Sequence, residues 1–158
     1  MLENNHEKKP KKYAGILAHP TSFPSPYGIG DLGKGAYRFI DFLANSGLNL
    51  WQVLPLGHTG FGDSPYQPFS AFAGQPLIID LDALKEYKLL SEDDFTDMPE
   101  WDPVHIDYGT LITFKTKLLK LAYERFTDPD YEDGLSTDEE QMAAFASFKK
   151  DSSWLADY

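Results

Sequence analysis

Two short apolar runs joined by one amphipathic helix limit the fold of this chain more strongly than any other feature. Residues 13–19 (YAGILAH) and 48–56 (LNLWQVLPL) are predicted as buried strands, because each is a short apolar stretch bounded by turn residues. Between them, apolar residues recur at helical spacing over residues 32–46, with Asp31 as the expected N-cap and Gly47 at the expected left-handed end. This βαβ unit requires parallel strands and a right-handed connection, and it indicates an α/β fold.

A loop rich in Gly, Pro, Ser and aromatic residues follows each predicted strand. The first loop is residues 20–33 (PTSFPSPYGIGDLG), and the second loop is residues 57–74 (GHTGFGDSPYQPFSAFAG). Glycine lets a backbone approach a ligand closely, proline fixes its course, and exposed aromatic rings offer flat faces. Because the carboxyl ends of parallel strands meet at one edge, both loops are predicted to form one ligand-binding rim.

The rest of the chain is predicted to be mainly helical. Residues 77–81 (LIIDL) are a third strand candidate, residues 82–90 and 110–126 are predicted helices, and capping boxes begin at Ser91 and Ser136. Residues 142–148 carry the expected buried side of the last helix. We expect a disordered tail over residues 1–12, the first βα units over 13–81, and a helical subdomain over 82–158 that stops within an element.

Composition excludes several classes of function. A net charge of −11 and a pI near 4.6 argue against a nucleic-acid partner, which needs a basic face. The lack of cysteine excludes disulfides and thiolate chemistry. No apolar run reaches the ~18 residues of a membrane span, and the first dozen residues are polar. A cytoplasmic protein with no membrane partner is therefore expected, and its oligomeric state is not predicted.

The polar residues of the two loops do not form a recognisable catalytic or metal site. Asp31 and Asp63 are the only acids considered as catalytic groups, and a helix cap and an Asx-turn are the more common roles for them. His19 and His58 end the two strands without a third ligand at metal-site spacing, so we expect structural hydrogen bonds and no metal. The GIGDLG run has the letters of a dinucleotide motif but does not directly follow a strand.

A sugar-binding role fits the second loop better. The ring of Tyr66 can lie against the C–H face of a pyranose, while Ser64 and Gln67 hydrogen-bond its hydroxyls. Ser64 lacks the G-x-S-x-G surroundings of a nucleophile. The alternative for Tyr66 and Phe69 is a small satellite core under the loop.

Several long motifs together resemble one family. The segments GILAHPTSFPSPYGIGDLG, LWQVLPLGHTGFGDSPYQPFSAFAG, PLIIDLDAL and DYGTLITFK stand in the order found in the N-terminal third of 4-α-glucanotransferases, also called amylomaltases or disproportionating enzymes. The resemblance runs from about residue 13 to the end. It implies the N-terminal part of a (β/α)₈ barrel with inserted helical segments, incomplete in this chain, whose active site lies at the C-terminal face.

The same resemblance implies a retaining double displacement on maltooligosaccharides or starch-derived glucans, without a cofactor or metal. An Asp nucleophile, a Glu acid/base and a sugar 4-hydroxyl as acceptor carry this chemistry. The catalytic carboxylates belong to later strands, so no catalytic residue is expected here. Tyr66 matches the stacking tyrosine and Ser64 its hydrogen-bonding neighbour. Asp63, Gln67 and Phe61 complete the expected substrate-binding set, with Phe61 at a surface glucan position where relatives often have tyrosine.

Three hypotheses about function follow from these residues. The first is an inactive N-terminal fragment of a 4-α-glucanotransferase. The second is a non-catalytic glucan-binding module made only of these residues. The third is a structural fragment without function.

Overall fold

The βαβ unit predicted for the first third of the chain is present. The computed structural model describes residues 12–131, 138–156 and 158. Strands β1 (Gly15–Leu17) and β2 (Leu50–Gln52) are parallel neighbours, and helix α1 (Lys34–Asn45) connects them. The register places Ile16 opposite Trp51. Both strands are shorter than predicted, but their order and direction confirm the prediction.

The two ends of α1 differ in how well they were predicted. Gly47 takes the expected left-handed conformation with φ 70°, and the next N–H donates to the Leu43 carbonyl at 2.9 Å. The prediction of Asp31 as N-cap was wrong, because Gly33 holds that position. The Asp31 carboxylate instead accepts from the Gly33 N–H at 3.0 Å and so closes the turn just before the helix.

The prediction that both strands are buried was wrong for the described residues. Leu17 and Leu50 are 58% and 51% exposed. The middle of the sheet is better covered, because Trp51 packs with the rings of Phe23 and Phe39 at centroid distances of 5.7 and 5.4 Å. A parallel sheet is buried only when elements cover both faces. In the part of the chain that the structure describes, two strands and one connecting helix are too few to do so.

Residues 77–81 do not form the predicted strand. Pro76–Ile78 is a 3₁₀ turn, and helix α2 (Leu81–Glu86) follows directly, with Asp80 accepting from the Asp82 N–H as its N-cap. The apolar side chains of Leu77 and Leu81 are buried as a strand would bury them. Periodicity cannot separate a short buried strand from a buried turn, and the proline at the first turn position favours the turn.

Helix α3 (Tyr108–Thr127) supplies the centre of the core, as its amphipathic pattern predicts. Its buried face carries Leu111, Phe114 and Leu118. No helix of the described residues is both long and apolar enough to cross a bilayer. The larger core cluster contains these buried residues: Tyr27, Leu81, Leu89, Leu90, Phe114, Leu118 and Ala122.

Helix α4 (Glu139–Asp151) is less buried than predicted. None of its described residues is fully buried, and its main ring contact is Phe145 against Phe126 at 5.1 Å. Asp138 is the N-cap, and it accepts from two N–H groups of the first turn. Ser136, the predicted start of a capping box, lies outside the described residues. A final 3₁₀ turn, Ser153–Ala156, follows the helix.

The capping box predicted at Ser91 is present and is tied to α3 by a salt bridge. The Asp94 carboxylate accepts from the Ser91 N–H at 2.7 Å and from the Arg125 guanidinium at 2.6 and 3.0 Å. The Arg125 guanidinium and the Ser91 N–H and hydroxyl donors lower the pKa of Asp94 from 3.8 to about 2. Since Asp94 is only 12% exposed, solvent screens this pair weakly.

We expect Asp94→Asn to lower the free energy of unfolding at pH 7 by about 2 kcal/mol, the value of a carboxylate whose folded pKa is depressed by this amount. In the unsubstituted chain this stability is complete above the unfolded pKa of 3.8 and is lost as the pH falls toward 2. Urea unfolding at pH 7 and at pH 3 measures both effects. Asp97→Asn is the control, because Asp97 is 82% exposed in its pair with Lys117; an equal loss there would contradict the prediction.

Candidate functional site

The two loops meet at one rim, as their positions after parallel strands predict. A cavity of about 220 Å³ is lined by His19 and Thr21 from the first loop region and by Thr59 and Asp63 from the second. Tyr108, at the start of α3, completes one wall. A larger cleft of about 730 Å³ separates the first loop from residues 98–106. The loop contact supports a single ligand-binding edge.

The second loop is a hairpin held closed at its base. Antiparallel bridges join Gly57 to Gly74 and Thr59 to Pro68. At the base, the Gln75 N–H donates to the Leu56 carbonyl at 2.7 Å, and its side-chain amide donates to the Thr59 hydroxyl at 3.1 Å. These bonds fix both ends of the hairpin, so the residues at its tip have a defined position.

The tip brings the predicted sugar-binding residues together. The Gln67 N–H donates to the Ser64 carbonyl at 3.2 Å, which closes a turn with Tyr66 in the middle. The Tyr66 N–H donates to Ser64 Oγ at 3.3 Å, so the Ser64 O–H can donate elsewhere. Gln67 is exposed, and Tyr66 is 69% exposed. The arrangement offers one flat ring with a hydroxyl and an amide beside it.

Asp63 and Phe61 lie just before this turn. Gly62 and Asp63 both have left-handed backbone, with φ 73° and 53°, a conformation that Gly adopts freely and Asp tolerates. The half-buried Asp63 side chain lines the cavity. Burial and the Asp63 carboxylate raise the pKa of Tyr108, so its hydroxyl stays protonated at neutral pH. Phe61 lies in the turn Phe61–Asp63, but its side chain is outside the described part of the structure.

The alternative that Tyr66 and Phe69 form a small core under the loop was wrong. Both rings, and that of Phe72, are between 69% and 72% exposed. The three aromatic residues follow one another at intervals of three along the hairpin. Phe69 and Phe72 each contact one other ring, whereas the exposed Tyr66 ring on the closed hairpin offers a surface for stacking.

The histidines and Asp31 are held by structural contacts. His19 Nδ1 hydrogen-bonds the Thr21 hydroxyl at 2.8 Å, and His58 Nδ1 hydrogen-bonds the Tyr158 hydroxyl at 2.7 Å. Desolvation raises the pKa of Asp31, whose carboxylate accepts from Gly33 and Ser25. Within residues 12–131, 138–156 and 158, no three His, Cys, Asp or Glu side chains are grouped for metal binding. These hydrogen bonds therefore hold the two loops in place.

Sequence reasoning missed three residues that support the hairpin. Gln75 directly follows the loop, and no local pattern marks its bonds to Leu56 and Thr59. The apolar pattern includes Trp154 and Tyr158, but the hairpin residues that they contact lie far away in the sequence. A pattern confined to neighbouring residues cannot indicate such pairings.

Comparisons with known proteins agree on one family. A family model described as 4-alpha-glucanotransferase matches residues 18–158. The 4-alpha-glucanotransferase of Synechocystis sp. is 45% identical over 148 residues, covering 94% of this chain and 28% of the relative. That of Thermus thermophilus is 45% identical over 145 residues, covering 91% and 27%. An amylomaltase from Streptococcus agalactiae, solved in complex with acarbose, matches with a TM-score of 0.80 and 36% identity over 93% of this chain and 28% of that one.

Proposed function

The chain belongs to the 4-alpha-glucanotransferase family, and on that premise we propose that it is the N-terminal part of an enzyme that moves α-1,4-glucan segments to a sugar 4-hydroxyl. It spans a little over a quarter of the length of the relatives it matches, 28% and 27% in the two cases above. Within that enzyme it supplies framework and one glucan-binding hairpin. The substrates are maltooligosaccharides or starch-derived glucans, as the acarbose complex of the amylomaltase relative supports.

The exposed ring of Tyr66 on the closed hairpin is the observation that carries this proposal. Its face is open to solvent, while the hairpin holds its backbone. A pyranose stacked on the ring places its hydroxyls within reach of the Ser64 hydroxyl and the Gln67 amide. Asp63 borders the adjoining cavity and Phe61 the same turn, so both belong to the proposed binding surface.

The exposed apolar side chains of the βαβ unit support the proposal that it is part of a larger barrel. Leu17 and Leu50 on the strands and Tyr37 and Phe42 on α1 are each more than half exposed. Exposed apolar side chains at this density on a sheet and its helix need further elements to cover them. We therefore assign residues 13–81 to the first βα units of a (β/α)₈ barrel and 82–158 to a helical subdomain.

The chemistry is a retaining double displacement whose carboxylates come from outside this chain. The chain alone is then inactive, and its contribution is to hold the sugar in place for those groups. The enzyme needs no cofactor or metal and works in the cytoplasm. A stand-alone glucan-binding module is less well supported, because the match follows a catalytic family from residue 18 to residue 158.

Two assays test the proposal. Maltotriose is titrated into the chain and followed by calorimetry, and saturable binding is the expected result. The longer polypeptide encoded with this chain is incubated with maltotriose, and thin-layer chromatography should show both longer and shorter glucans. An unchanged maltotriose spot from the longer polypeptide would contradict the proposed transfer activity.

A further inference from the structure

Two aromatic residues from the far end of the chain contact the glucan-binding hairpin. The Trp154 ring lies nearly parallel to the Phe72 ring, with centroids 6.2 Å apart and planes 20° apart. The Tyr158 hydroxyl hydrogen-bonds His58 Nδ1 at 2.7 Å. The two rings also contact each other edge to face at 5.9 Å. We call Trp154 and Tyr158 the tether residues.

The tether residues hold the parts of the hairpin that flank its binding tip. The His58 ring, held by Tyr158, meets the Phe69 ring edge to face at 5.8 Å, and the His58 carbonyl accepts from the Phe69 N–H. Trp154 holds Phe72 directly. The Phe69 ring also lies over Gly60, whereas Phe72 is 72% exposed and has its one ring contact with Trp154.

Tyr66 is left open by this arrangement. Among the described side chains no ring contact involves Tyr66, whereas Phe69 and Phe72 each have one. A hairpin whose neighbouring rings are already ordered loses less conformational freedom when a sugar stacks on its tip. This smaller loss of conformational entropy raises the affinity for glucan without a new contact to the ligand.

We propose that Trp154 and Tyr158 are positioning residues that order the hairpin for glucan stacking. This inference rests on the proposed function. The affinity of the hairpin for glucan would then depend on residues far away in sequence, since Phe72 and Trp154 are 82 positions apart.

The test compares maltotriose affinity across matched variants of the chain. Trp154→Ala should weaken binding about fivefold, because ordering of the loop then has to accompany binding. Trp154→Phe, which can still stack on Phe72, should recover most of the affinity. Tyr158→Phe removes only the hydroxyl bonded to His58 and should weaken binding, whereas Tyr123→Phe should not. Tyr123 is the matched control, because it is 55% exposed against 56% for Tyr158 and lies on α3.

A spectroscopic readout separates positioning from a general loss of structure. Each of the three tryptophans is assigned by its indole N–H resonance. Maltotriose should shift the resonance of Trp154 and leave that of Trp101, which packs against Phe114, unchanged. Urea unfolding of each variant shows whether the core is intact.

The outcomes distinguish this inference from the proposed function. If Tyr66→Ala weakens binding while Trp154→Ala and Tyr158→Phe do not, the positioning role of the tether residues is overturned. The proposed glucan site at Tyr66 is then still supported. If the unsubstituted chain does not bind maltotriose, the hairpin is not a glucan site and the positioning role is overturned with it, while the transfer activity is judged separately on the longer polypeptide. Weakened binding in both variants of the tether residues, with a shifted Trp154 resonance and an intact core, supports their positioning role.

Discussion

Lys115→Met should lower the free energy of unfolding by about 1–3 kcal/mol, the usual cost of leaving buried polar groups without a hydrogen-bond partner. Lys115 lies on α3 and is completely buried. Its Nζ donates to the Leu77 carbonyl at 2.7 Å and to the Ile79 carbonyl at 2.9 Å. Methionine keeps the apolar stem but leaves both carbonyls without this donor, and the nearby Asp31 and Asp80 carboxylates lose their counter-charge.

Urea unfolding of the chain at neutral pH measures this loss. Lys117→Met is the matched control on the same helix, since Lys117 is 61% exposed and contacts Asp97 at 3.4 Å. An exposed pair of this kind contributes less than about 1 kcal/mol. Equal losses in the two variants would show that the buried amine does not join α3 to the residues after the hairpin.

The same burial predicts a pH dependence. Desolvation lowers the pKa of Lys115 from 10.5 to about 8, against the opposing effect of the Asp31 and Asp80 carboxylates. Between these values the unfolded chain binds more protons than the folded chain, so the free energy of unfolding rises with pH. The rise should be measured from pH 8 to 10, because Tyr27, with a pKa raised to about 12, acts in the opposite direction above pH 10. Lys115→Met should abolish the rise.

Tyr66→Ala should weaken glucan binding and slow transfer by about 1–3 kcal/mol, because the ring that positions the reacting sugar is lost. In the isolated chain the loss appears as a lower maltotriose affinity. In the longer polypeptide it appears as a lower kcat/KM for transfer between maltooligosaccharides. Tyr66→Phe keeps the ring and should retain most of both values.

Tyr37→Ala is the matched control for the affinity measurement in the isolated chain. Tyr37 is 68% exposed against 69% for Tyr66, but it lies on α1 and not on the hairpin. Its removal should leave maltotriose affinity unchanged. If Tyr66→Ala behaves in the same way, Tyr66 does not contact the sugar, and the proposed binding surface is wrong.

Local signals predicted well those features that depend on neighbouring residues. The left-handed Gly47, the Ser91 capping box and the amphipathic α3 are each set by spacing within one or two turns, and the βαβ order follows from three successive local patterns. The loop composition likewise indicated the exposed turn around Tyr66. The failures occurred where local patterns are ambiguous: residues 77–81 are apolar enough for a strand, but Pro76 begins a turn and Asp80 begins a helix.

The order and spacing of the residues determine most of the helices and strands, the turn that presents Tyr66 and the family motifs. Their spacing cannot indicate that Lys115 reaches the Leu77 and Ile79 carbonyls or that Trp154 stacks on Phe72. These contacts join positions 36 to 82 residues apart. They form because burial of apolar surface brings distant elements together, and each buried polar group must then find its partner in that packed arrangement.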